Sequence, residues 1–226
     1  MSKLTDGMRW FKQSFAEQIN KSITQTPFDI DLMTALATQE TFEVWGNLFK
    51  TMDAAKILEI CVGDTIDAPG RTAFPTTKQN LLTDPNGQRL FTVAREALEA
   101  VGEHNATYHK VAAANPNKFC HGFGIFQYDI QFSRHGVDPD FFLGRQWFQF
   151  DRSLAKALLE LHHAQTRAGL GGKVVLSDLE QAHVAIAYNA GSFNPSKGLK
   201  QGFKDKGSGK FYGELIFDYM TMSKSL

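Results

Sequence analysis

The chain has 226 residues, 42% hydrophobic and 21% charged, enough apolar material for a sizeable core and the amount expected of a single domain. Its 24 Lys and Arg balance 24 Asp and Glu, so no net field favours nucleic acid or an anionic membrane, and neither is expected as a partner. No run approaches the roughly 18 apolar residues of a membrane span, the start MSKLTDGMRWFKQSF lacks the apolar core of a secretory signal, and Cys61 and Cys120 are too few for a disulfide framework.

Trp10, Phe11, Phe15 and Ile19 recur at helical spacing and predict a first amphipathic helix that ends before Thr26 and Pro27. A second is expected to begin at Pro27 or Asp29 and run to Trp45, and a short third follows from Ala54. Residues 61–86 are rich in Gly, Pro, Asp and Thr without a steady period and read as a long irregular excursion, its Ile66, Phe74 and Leu81 favouring order. Phe91, Ala94, Leu98 and Val101 then mark a helix ending near Gly102. Asp151 is expected to cap a helix carrying Leu154, Leu158 and Leu161, stopped by Gly169. Ser177 to Glu180 is a capping box that opens a helix through Leu179, Ala182 and Ile186, stopped at Gly191. Residues 197–210 read as a mobile surface loop, and Leu215, Phe217, Tyr219 and Met220 belong to a terminal helix. Strands are few and short, so the expected fold class is mainly α, α+β at most.

Three patches carry candidate chemistry. In DIDLMTALATQETFEVW the stripe of Met33, Leu36, Ala37 and Val44 continues through Glu40, a carboxyl on an apolar face. Burial disfavours the charged carboxylate, so Glu40 is expected to hold a proton near neutral pH, as a general acid must. The bland alternative places it at the rim or against a Lys or Arg, and Glu43 falls on a solvated side. In FCHGFGIFQYD, Gly122 and Gly124 permit close backbone approach, while Gln127 and Asp129 alternate with apolar neighbours and can project the same way. In HVAIAYNAGSFNP, Tyr188 and Asn189 end a helix just before its stop glycine.

These patches, in this order, resemble the goose-type lysozymes and soluble lytic transglycosylases of the lysozyme-like superfamily. ALATQET (35–41) is similar to the pattern that closes on the catalytic Glu, GFGIFQYD (122–129) to the following glycine-rich loop, and AYNAG (187–191) matches its motif without change. Thr41 and Phe126 depart from the usual Ser and Met, and the spacing from Glu40 to the loop is longer than in those enzymes because a region of about 61–102 is inserted between them. A subfamily of peptidoglycan-binding proteins is similar over most of its length.

The resemblance implies a lysozyme-like helical domain with a substrate cleft, in which Glu40 protonates the glycosidic oxygen between N-acetylmuramic acid and N-acetylglucosamine. His121, Gln127, Tyr128, Tyr188 and Asn189 are the expected substrate-binding residues. A second carboxylate, to activate water or attack the sugar, comes from Asp64, Asp67 or Asp129. Asp129 matches by motif; Asp64 and Asp67 are two acids three residues apart in the excursion, with capping or pairing to Arg71 as the alternative. A muramidase is the first expectation. A lytic transglycosylase, a chitinase-like enzyme and a non-catalytic cell-wall-binding module are the competitors.

The expected partner is the peptidoglycan glycan strand, met by a monomer in the periplasm or outside the cell. Without a leader in the sequence, that location implies release as a phage-type lysin, a delivery machine with an immunity or inhibitor protein, or excision from a longer protein. No cofactor or metal is expected: seven histidines are scattered, and the adjacent His162 and His163 of one helix point apart. Cys61 and Cys120 are expected as buried thiols, with a single bridge left open.

Overall fold

The computed structural model describes residues 2–66, 74–131 and 138–226 and is mainly helical. Its elements are α1 (Lys3–Ile23), α2 (Ile30–Trp45), α3 (Ala54–Ile60), β1 (Val62–Ile66), α4 (Lys78–Leu81), α5 (Gly87–Gly102), α6 (Ala106–Ala114), β2 (Phe119–Phe123), β3 (Tyr128–Asp129), α7 (Pro139–Leu143), α8 (Phe150–Arg167), α9 (Asp178–Ala190) and α10 (Tyr212–Lys224). They form two compact units, one of Met1–Phe42 with Leu154–Leu226 and one of Glu43–Ser153, the division falling inside α2 and α8. Among the described residues no helix is long and apolar enough to cross a membrane.

The first unit is helical throughout. Its core takes Met8, Phe11, Phe15 and Ile19 from α1 and Leu32, Met33 and Leu36 from α2, joined by Leu161, Ala182, Ile186, Ile216 and Met220. Each of the larger side chains contributes about 1.5–3 kcal/mol by leaving water. Helix α2 is buried on more than one face here, and its polar members solve the problem locally. Thr34, Thr38 and Thr41 donate their hydroxyls to the carbonyls of Ile30, Thr34 and Ala37, one turn back. The start of α2 is pinned to α9: Asp29 caps Leu32 through Oδ1 and accepts Gln181 Nε2 at 2.8 Å, while Gln181 Oε1 accepts the Asp29 backbone N–H. Lys12 on α1 bonds both Asp31 and the carbonyl of Ser223, and the Ser223 hydroxyl donates to Asp31, so one charge knot ties α1, α2 and α10.

The second unit is built on a three-stranded antiparallel sheet of order β1-β2-β3. Phe91, Ala94, Leu98 and Val101, the stripe read from the sequence, bury one side of α5 beside β2, with Phe91 edge-on to Phe119. Arg95 reaches from α5 to the carbonyls of Ala112, Asn115 and Lys118 and thereby fixes the chain between α6 and β2. Phe123 continues the core into an aromatic cluster, 4.8 Å from Trp147 and 5.2 Å from Phe142.

Several expectations change. The excursion at 61–86 contributes β1 and the short α4, because its Val62 to Ile66 segment pairs with β2, a partner remote in sequence. Helix α8 already begins at Phe150, which places Asp151 in the first turn, where its charge favours the helix dipole without capping. Leu179 lies 46% exposed although Ala182 and Ile186 are buried, so the buried face of α9 starts one turn later. Helix α6 has no buried residue and hence no stripe; its visible signal is the Asn105 cap. The capping box of Ser177 and Glu180 and the left-handed Gly191 cap are as read. The stretch 197–210 is largely exposed but is closed by a Lys204 to Phe211 bridge and by Ser208 donating to Asp205.

At Gly213 the first unit permits no side chain: a Cβ there would lie 2.5 Å from Ile186 Cδ1 and 2.5 Å from the Leu199 carbonyl. Gly213→Ala is therefore expected to cost about 1–3 kcal/mol, read as a lower urea midpoint with unchanged slope.

Candidate functional site

Glu40 is half-buried, one turn beyond the fully buried Leu36 and Ala37. Its Oε1 accepts a 2.6 Å hydrogen bond from the hydroxyl of Tyr212, at the first position of α10, and Tyr212 is only 2% exposed. Burial first, and then the neighbouring Glu40 charge and hydrogen bond, push the Tyr212 phenol well above its ordinary range. It therefore stays a protonated donor across the physiological range and fixes the orientation of the carboxyl. The AYNAG segment approaches Tyr212. Tyr188 is close enough to act electrostatically on Tyr212. Gly202, in the left-handed region at φ +81°, offers the space in which Tyr212 and the Asn189 amide oxygen both sit: a Cβ there would meet Tyr212 Cβ at 2.6 Å and Asn189 Oδ1 at 3.2 Å. The first unit thus joins Glu40 to Tyr212, with Tyr188 acting on Tyr212 and Asn189 set beside Gly202.

The second unit gathers the other candidates around the sheet. The β1–β2 register pairs Gly63 with Gly122 and Thr65 with Cys120, and at the step between them Asp64 takes a left-handed φ of +48° opposite His121. His121 is fully buried. Its Nε2 lies 2.9 Å from the Ile130 carbonyl, and its Nδ1 lies 3.3 Å from Asp64 Oδ2 and 3.5 Å from Asp129 Oδ1. Gln127, also left-handed at φ +54°, donates its amide nitrogen to the Gly124 carbonyl and lays Oε1 over Gly63 and Gly122, where any Cβ would collide with it. Asp129 Oδ1 lies over Gly122 as well, so Gln127 and Asp129 do project to one place. A left-handed non-glycine residue costs about 1–2 kcal/mol, and two of them meet in this cluster.

The remaining candidates sort readily. Tyr128 stacks on Phe142 at an interplanar angle of 11° and is half-buried in the aromatic cluster. Phe123, Ile125 and Phe126 are core. Asp67 lies outside the described residues. Cys61 and Cys120 are buried thiols not joined in a disulfide, and burial, reinforced by the Asp64 charge, pushes the Cys120 thiol up. Tyr108 on α6 brings its hydroxyl to Gly63, and burial, with smaller contributions from Cys120, Glu43 and Asp64, raises its phenol too.

Sequence reasoning missed Tyr212, which sits at the head of a helix recognised only from its later apolar residues, and it missed the Asp64–His121 pairing because the strand carrying Asp64 was read as irregular. No family model matches the chain, and neither the curated proteins nor the solved structures yield a match.

Tyr212→Phe removes the phenol from Glu40 and is expected to cost about 1–3 kcal/mol. Because the folded-state value of Tyr212 is raised, its stabilisation is intact below the unfolded tyrosine value of about 10 and is lost as pH rises beyond it. Urea midpoints measured between neutral pH and the alkaline range should therefore fall less steeply above pH ~10 for the variant than for the wild type.

Proposed function

We propose that the chain is a peptidoglycan-degrading glycosidase, an N-acetylmuramidase of lysozyme-like architecture, with Glu40 as general acid. The observation that carries this reading is the Tyr212 to Glu40 hydrogen bond. A half-buried carboxyl on an apolar helix, held in one orientation by a buried phenol on which a second phenol acts, supports this reading. In the proposed reaction Glu40 protonates the glycosidic oxygen as the bond to N-acetylmuramic acid breaks, while Tyr188 and Asn189 bind the N-acetylated sugars.

A second reading, lytic transglycosylation, draws on the other unit. Asp64 and Asp129 both turn onto His121. A reaction that dispenses with a second carboxylate lets a hydroxyl of the muramic sugar itself capture the cationic centre and leaves an anhydro end.

Glu40→Gln is nearly isosteric and still accepts from Tyr212, but it cannot donate an acidic proton. Turbidity of a cell-wall suspension should clear about 10²–10⁴-fold more slowly with the variant, while sedimentation with the walls and thermal unfolding stay as in the wild type. Undiminished clearing by the variant refutes the assignment.

A further inference from the structure

We propose that Asp64, His121 and Asp129 form a site for one divalent transition-metal ion of the zinc class. The proposal stands apart from the role of Glu40 and uses a different part of the chain. Nε2 of His121 faces the Ile130 carbonyl at 2.9 Å, and a carbonyl can only accept, so Nε2 carries the ring hydrogen. In the neutral ring Nδ1 then presents a lone pair, and two carboxylate oxygens converge on it at 3.3 and 3.5 Å, the three ligand atoms all lying within 4.8 Å of one another. Acceptors so placed repel unless a proton or a metal ion lies among them.

The two separations from Nδ1 favour the metal. A charged N–H···O bond settles at about 2.7–2.9 Å. Both separations here exceed that. Two ligands on a tetrahedral ion, each about 2.0–2.1 Å from it, stand about 3.3–3.4 Å apart. The nitrogen donor suits zinc over the oxygen-seeking calcium and magnesium.

The surroundings have the form expected around a metal ligand set. The ring hydrogen of His121 is spent on a backbone carbonyl, and the second oxygen of Asp129 accepts Gln131 Nε2 at 2.9 Å, so two of the three ligands are oriented from behind. The imidazole is fully buried while both carboxylates reach solvent, giving an entry path and room for water as the fourth ligand. The ligands come from β1, from β2 and from β3, so a bound ion fastens all three strands.

The test uses the full chain stripped of metal with a chelator and titrated with zinc chloride in a calorimeter. One ion per chain is expected at micromolar affinity or tighter, with a rise in Tm at saturation. Asp64→Asn and Asp129→Asn should each weaken binding at least about tenfold and shrink the Tm shift. In the wild type, imidazole nitrogen NMR should show Nδ1 of His121 moving on zinc addition while Nε2 keeps its hydrogen, a readout that needs no variant to fold. Wild-type protein that takes up no zinc at millimolar concentration, stoichiometric uptake retained in full by both variants, or a His121 Nδ1 signal unmoved while zinc binds would each overturn the proposal.

Discussion

A phenol sealed from water loses several kcal/mol unless its hydroxyl finds an acceptor, and Tyr212 finds Glu40. That bond constrains both partners. It sets where α10 begins, since Gly213, the next residue, must lie against Ile186 and Leu199 to bring the phenol into place. It also holds the carboxyl of Glu40 at one orientation between the buried Ala37 and Val44 of α2. The threonines of α2 return their hydroxyls to their own helix, whereas Glu40 takes the hydrogen bond of a donor from α10.

The second unit meets the same cost differently. His121 is wholly buried at the centre of a small sheet, and its two ring nitrogens are answered by a backbone carbonyl on one side and two carboxylates on the other. Asp64 and Gln127 accept unfavourable backbone conformations there, and Gly63 and Gly122 give up side chains to make room. Local cost concentrated in a few residues is what a site looks like, whereas an ordinary sheet would place alternating apolar residues at these positions.

How much of this was legible depended on the range of the interaction. Helices α1, α2, α5 and α9 follow from periodicity and from caps a few residues away, and the structure has them where the sequence put them. Glu40 could be singled out because an acid interrupting an apolar stripe is a local anomaly. Tyr212, 172 residues further on, left no local mark; a tyrosine at the head of a helix is unremarkable until its partner is known. The β1–β2 ladder was hidden for a related reason. Gly63 and the left-handed Asp64 break the two-residue alternation that identifies a strand, so the feature that builds the cluster also erased its signature.

The central claim is that this chain spends the proton of Glu40 on a glycosidic bond. Mass spectrometry of soluble products from purified sacculi incubated with the wild-type protein tests it most directly. The account predicts muropeptides ending in reducing N-acetylmuramic acid; sacculi that release no soluble glycan fragments would contradict it.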